Sequence, residues 1–216
     1  MIDDQINSKE RVRDFGEVFT PSHIVSDMLD LVKEETERIE SKFLEPACGN
    51  GNFLVEILRR KLEVVKNKYK KIQLEYEKNS IIAISSIYGV DILEDNVKEA
   101  QNRLFEIFEA EYLKLYKKNY KQECLESFKF ILEKNIIHGD TLTQKLIKNR
   151  EQPIIFSEWA MISDGMIKRK EYSLDSLLKK TKVKSLFNDE GTKAIIHKAQ
   201  KNYPLKHFLK LVEYDQ

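Results

Sequence analysis

Apolar positions recur along the chain in blocks, and the spacing within each block predicts its form. Residues 22–39, SHIVSDMLDLVKEETERI, place Ile24/Val25, Met28 and Leu31/Val32 at helical intervals behind Ser22, a capping residue. SKFLEPA (41–47) reads as a short strand. From Asn52 the period turns helical again, through Phe53, Leu54, Ile57, Leu58, Leu62 and Val65, and a charged stretch runs on to about Asn79. IIAISSIYGVDI (81–92) is rich in β-branched residues and almost wholly apolar, which suits a strand buried on both faces of a parallel sheet. A long amphipathic helix is expected over about 95–118 and another over 121–133. NIIHGD (135–140) and QPIIFSEW (152–159) read as further strands. This alternation predicts an α/β fold with a doubly wound, mostly parallel sheet. Beyond about Asp164 the strand signal weakens: LDSLLKKTKVKSLF (174–187) looks helical and residues 193–214 mix types.

Composition narrows the class. The 216 residues are 41% hydrophobic and 34% charged, as in a soluble globular protein. No apolar run approaches the roughly 20 residues of a membrane span. The opening MIDDQINSKERVRDFG has no apolar core of a signal peptide. Cys48 and Cys124 lack metal-ligand spacing and the four histidines are scattered, so no metal site is expected, and a reducing cytoplasm is the expected setting. Net charge is +1, but residues 165–216 carry 12 Lys and Arg against 6 Asp and Glu, or +6, leaving −5 on residues 1–164. The boundary at Asp164 thus sets a main domain over 1–164 apart from a basic extension over 165–216. Its charge suits a polyanion, or simply a solvated helical surface.

LEPACGNGNF (44–53) lies where the first strand hands over to a helix. Gly49 and Gly51 allow a tight turn and close backbone approach to a ligand, and Asn52 is placed to cap the helix. A dinucleotide site would want G-x-G-x-x-G, but the third glycine position is Leu54, and Glu45 would repel a pyrophosphate. Glu45 would instead favour a ligand with an ammonium group, such as S-adenosylmethionine. Asp91, ending the next strand, is placed for the two hydroxyls of a ribose, Ile92 for an adenine face, and Asp140 for an adenine amino group. Each aspartate alone also fits a turn or cap.

Four ordered segments, GEVFTP (16–21), LEPACGNGNF (44–53), YGVDI (88–92) and IIHGD (136–140), resemble the motifs of N6-adenine DNA methyltransferases of restriction–modification systems. The resemblance spans about residues 11–160 and implies a Rossmann-like methyltransferase fold with S-adenosylmethionine as cofactor. It implies that Phe19, Thr20 and Pro21 hold the methionine end of the cofactor. Glu45, Pro46, Ala47, Cys48, Gly49 and Gly51 would form its floor, continued by Asn52 and Phe53. Asp91, Ile92 and Asp140 would hold ribose and adenine. Cys48 is then a packing residue. Where the family carries Asn/Asp/Ser-Pro-Pro-Tyr/Phe, this chain has no Pro-Pro and reads PIIFSEWA (153–160), similar to short methylase subunit M proteins of bacteria and mobile elements. The family's polar side chain and proline carbonyl accept the adenine amino hydrogens, and its aromatic residue stacks on the flipped base. Ser157, Glu158 and Trp159 are the candidates for those catalytic roles. Phe156 and Trp159 equally fit core positions at a strand end. About 50 residues remain downstream, with no separate target-recognition domain. DNA is the expected partner, bound with weak sequence selectivity, together with a specificity or restriction subunit. The readings in order are an adenine-specific DNA methyltransferase, a non-catalytic cofactor-binding subunit, a methyltransferase-like module for RNA or protein, and a nicotinamide dehydrogenase.

Overall fold

A short helix, α1 (Lys9–Phe15), opens the computed structural model, which describes residues 8–178 and 199–215. Helices α2 (Ser22–Asp30) and α3 (Lys33–Thr36) follow where one helix over 22–39 was expected. The break is at Val32 (φ −125°, ψ 35°), and it turns Thr36 into the interior. Three strands then alternate with long helices. They are β1 (Phe43–Glu45), α4 (Asn52–Tyr69), α5 (Gln73–Ser85), β2 (Ile87–Asp91), α6 (Glu94–Tyr116), α7 (Gln122–Asn135) and β3 (Ile136–Asp140). β1, β2 and β3 pair in parallel, with Glu45 opposite Gly89 and Asp91 opposite His138, so their carboxyl ends lie side by side. A two-residue strand, β4 (Lys145–Leu146), closes the far edge antiparallel to β3.

The sheet order β1-β2-β3-β4 contains no reversal among the described residues, so the doubly wound sheet expected from the alternation is a singly ordered one here. On one face, Gly89 lies under Leu54 of α4: an added Cβ would come within 2.8 Å of its Cδ1. The opposite face, carrying Tyr88 and Val90, is covered by Ile154 and Phe156. Phe156 belongs to β5 (Ile155–Met161), which forms an antiparallel hairpin with β6 (Met166–Ser173), not a fourth parallel strand. The hairpin turns at Asp164-Gly165, both with positive φ, and Met166 N–H donates to the Ser163 carbonyl (2.8 Å). That is the primed turn for which Asp-Gly is suited.

A single turn of helix, α8 (Leu174–Leu178), follows. The rest of the stretch expected to be helical, 179–187, lies outside the described residues. Residues 199–215 return along β6 as β7 (Lys201–Asn202) and β8 (Lys206–His207). They insert Phe208 and Leu211 fully into the main core beside α7. The hairpin and this return thus carry residues on both sides of position 164 into continuous packing.

The other departure is α5. Residues 81–85, expected to begin a strand, end a helix whose Tyr76, Ser80, Ile81, Ala83 and Ile84 are all fully buried. A helix enclosed on most sides loses its polar stripe and reads like a buried strand. Ser85 and Ser86 finish it by donating their hydroxyls to the carbonyls of Ile81 (2.6 Å) and Ala83 (2.7 Å).

Candidate functional site

The loop after β1 is fixed from below. Cys48 N–H donates to the Val90 carbonyl (2.9 Å) and Gly51 N–H to the Cys48 carbonyl (2.8 Å), which folds residues 48–51 into a turn against β2. Gly49 (φ 51°) and Gly51 (φ 87°) sit in the left-handed region that favours glycine. The Gly49 position is also filled from outside: the Phe19 ring lies 3.1 Å from where a Cβ would project. The Cys48 thiol is buried, and that burial, with the charges of Asp91 and Glu45, pushes its ionisation upward, away from nucleophilic chemistry.

Asp91 ends β2 beneath this loop. One carboxylate oxygen, Oδ2, accepts the Gly49 N–H (2.8 Å), while Oδ1 accepts from Leu93 N–H (2.9 Å) and from the Asn96 amide (3.3 Å). At the end of β3, Asp140 forms its own turn, its Oδ1 accepting from the N–H groups of Leu142 (2.9 Å) and Thr143 (3.3 Å). Partial burial raises the Asp140 carboxyl, but these bonds outweigh it and hold the group below its ordinary value. Thr141 ties this turn to the first loop through the Pro46 carbonyl (2.7 Å).

Together these ends form a cleft of about 590 Å³. Phe19, Pro46, Ala47, Gly49, Asp91, Ile92 and Asp140 line it, seven of the residues singled out in the sequence. The others stand behind or beside it. Thr20 and Asn52 are joined by a bond from the Asn52 amide to the Thr20 carbonyl (2.8 Å), and Arg103 holds Asn52 through Oδ1 (2.9 Å). Asn52 therefore does not cap α4; Gly51 occupies that position and the Asn52 side chain links the 16–21 segment to the helix. Pro21, and not the expected Ser22, is the N-cap of α2, with no side-chain cap bond, and Phe53 packs on the core. Glu45 is half-buried, accepts Ala47 N–H at 3.3 Å, and is pushed upward in pKa by burial. The sequence reading missed Phe15, Glu17, Asn96, Thr141 and Leu142 as cleft-lining residues. Glu17 stands within GEVFTP, and Asn96 lies in the first turn of the helix after Asp91.

Ser157, Glu158 and Trp159 do not line this cleft. The Trp159 indole is 8% exposed, donates its N–H to Asn135 Oδ1 (3.0 Å), and has Phe130, Tyr214 and the Arg169 guanidinium about its ring. Ser157 is buried and its hydroxyl accepts from Arg169 Nε (3.0 Å). Glu158 pairs with Lys42 (2.7 Å), the residue just before β1, in a separate cavity that also includes Ser86, the residue just before β2. That cavity lies at the amino ends of the parallel strands, whereas the cleft lies at their carboxyl ends.

Residues 22–152 match the family model of the MmeI DNA-methyltransferase domain, more than half of the 216 residues. The chain belongs to that family. The matched span of this MmeI-type domain includes the loop 44–53, Asp91 and Asp140, and stops before β5. The chain is also 34% identical over 86 residues to a protein of Methanocaldococcus jannaschii whose name describes a type II restriction enzyme and methyltransferase. That alignment covers 38% of this chain and 7% of the relative. No solved structure matches the chain. Among the described residues no helix is long and apolar enough to cross a membrane, and no group of three or more His, Cys, Asp or Glu could hold a metal.

Proposed function

We propose that the cleft binds S-adenosylmethionine and that the chain serves methylation of an adenine amino group in DNA, in a restriction–modification setting in the cytoplasm. The carrying observation is the charge of the cleft. Asp91 and Asp140 line it beside a Glu17 that is paired with Arg11, with no lysine or arginine among the lining residues. Such a lining disfavours a pyrophosphate and favours a ligand bearing ammonium and sulfonium groups. Asp91 keeps one acceptor site, on Oδ2, for a ribose hydroxyl while its backbone bonds fix its direction. Ile92, 43% exposed, offers an apolar flank for a purine. Bound there, the cofactor supplies an electrophilic methyl group; the chain's residues orient it and exclude water.

Calorimetry separates the cofactor classes: S-adenosylmethionine or S-adenosylhomocysteine binds and NAD does not. Asp91→Ala weakens that binding by ~1–3 kcal/mol, the scale of hydrogen bonds to a charged group. Equal affinity in this variant would remove the ribose assignment.

A second reading rests on the FSEW segment. Trp159 is buried with its N–H already paired and Phe130, Tyr214 and Arg169 about its ring, and both it and Glu158 lie at the other end of the sheet from the cleft. On this reading the chain binds cofactor, and the base-holding loop comes from a specificity or restriction partner. Methyl transfer to mixed-sequence DNA by wild type, Glu158→Ala and Trp159→Ala, with cofactor affinity checked in each, tests it. Activity of the isolated wild type that both variants abolish would restore Glu158 and Trp159 to the chemistry.

A further inference from the structure

The chain before the FTP segment holds the cleft through a polar relay. The Arg11 guanidinium meets Glu17 in two parallel bonds, Nε to Oε2 and Nη2 to Oε1, both 2.6 Å, and also pairs with Asp95. Glu17 Oε1 accepts from the Asn96 amide nitrogen (2.6 Å), and the same nitrogen faces Asp91 Oδ1 (3.3 Å). The Asn96 oxygen accepts from Arg11 Nη2 (3.2 Å). The amide is thereby fixed in orientation, with its oxygen toward a cation and its two hydrogens divided between two carboxylates. Glu17, Asn96 and Asp91 are 8%, 4% and 8% exposed, so this chain of bonds is shielded from water.

Two carboxylates this near each other repel unless a cation stands by, and Arg11 is that cation. The N–H groups of Gly49 and Leu93 hold the Asp91 carboxylate, and its third bond, from the Asn96 amide, keeps its direction only while Arg11 and Glu17 are docked. The docking also turns the chain at Gly16 (φ 65°), so that Phe15, Gly16 and Val18 form a wall of the cleft. No residue of α1 is itself buried. The relay, and not apolar packing, holds the helix down.

We propose that Arg11, Glu17 and Asn96 are positioning residues for the cofactor, acting through Asp91 and by clasping α1 over the cleft. The proposal rests on the cleft being the S-adenosylmethionine site. It makes affinity and clasp order one equilibrium: ligand protects α1 from opening, and opening α1 weakens the ligand.

The test uses the full chain with S-adenosylhomocysteine as probe, measuring affinity by calorimetry and amide hydrogen exchange over residues 11–18. Wild type is expected to gain exchange protection in this segment on binding. Arg11→Ala and Glu17→Ala each weaken affinity at least tenfold and lose the ligand-dependent protection. Glu17→Gln, whose side-chain oxygen still accepts from Asn96, recovers part of the affinity. The double variant Arg11→Ala/Glu17→Ala is no weaker than the worse single one, since both cut the same chain of bonds. Arg11 lies on a helix with no buried residue, so its variant keeps the core intact. Binding by wild type with affinities within twofold in both single variants, or without added protection at 11–18, overturns the relay and leaves the cofactor reading standing. Absence of binding by wild type to either S-adenosylmethionine or S-adenosylhomocysteine overturns both.

Discussion

Lys61 shows how one residue carries a pH dependence. It is fully buried on α4, and its ammonium donates to the carbonyls of Ile39 and Ser41 and to the Ser86 hydroxyl, joining the entry to β1 with the entry to β2. Burial lowers its pKa to about 7 from an ordinary 10.5. Between those values the unfolded chain binds the proton and the folded chain does not, so stability rises with pH across the window. Moving from pH 7 to 8.5 raises the stability of wild type relative to Lys61→Met by about 1.5 kcal/mol, read from urea midpoints. A difference that stays flat with pH would mean that the three acceptors keep the ammonium charged. Lys61→Met is the less stable protein at both pH values, because those acceptors lose their donor. At the cleft, the sequence carries more. Acids at successive strand ends and glycines after the first strand are local signals, and Asp91, Asp140, Gly49 and Phe19 all meet at one cleft. Asn96 and Glu17 were not legible, since their role lies in side chains brought together from positions 79 residues apart.

At the scale of elements, the long amphipathic helices and the three parallel strands could be read from spacing, while α5 and β6 could not. α5 is buried on too many sides to show a helical stripe. β6 puts Arg169 at an interior position, 3% exposed, where alternation calls for an apolar residue, so the strand does not look like one. The cation is accommodated because Glu171 (2.8 Å) and Asp215 (3.4 Å) pair with it and the rings of Phe130, Trp159, Tyr203 and Tyr214 surround it. The Asp164-Gly165 pair was the available signal for the hairpin. The return of residues 199–215 is held by apolar burial as well. Phe208 is fully buried and stands against Gly165, whose added Cβ would lie 2.9 Å from the Phe208 ring. Phe208→Ala is therefore expected to cost about 3–5 kcal/mol. Thermal unfolding checks it, and a loss under 1 kcal/mol would show that the return is dispensable for the fold.

At the scale of the molecule, the two ends of the parallel strands carry different side chains. The carboxyl ends hold an acidic cleft; the amino ends hold the Lys42–Glu158 pair and the antiparallel hairpin. Charge is divided as well, with +6 on residues 165–216 and −5 on the rest. Duplex DNA should bind by its phosphates, with affinity falling steeply as salt rises and little discrimination between sequences. Gel shifts across a salt series test this, and salt-insensitive binding to one sequence would point to base contacts in place of phosphate contacts. The chain's one tryptophan lies at the joint between the halves, its ring between α7 and the returning segment. That placement makes Trp159 a built-in optical reporter. Its fluorescence should be blue-shifted in the native protein and stay so when a ligand fills the distant cleft. It should move to the red under mild denaturant as the hairpin lifts from α7. An emission change on adding S-adenosylhomocysteine would mean that the two ends of the sheet communicate.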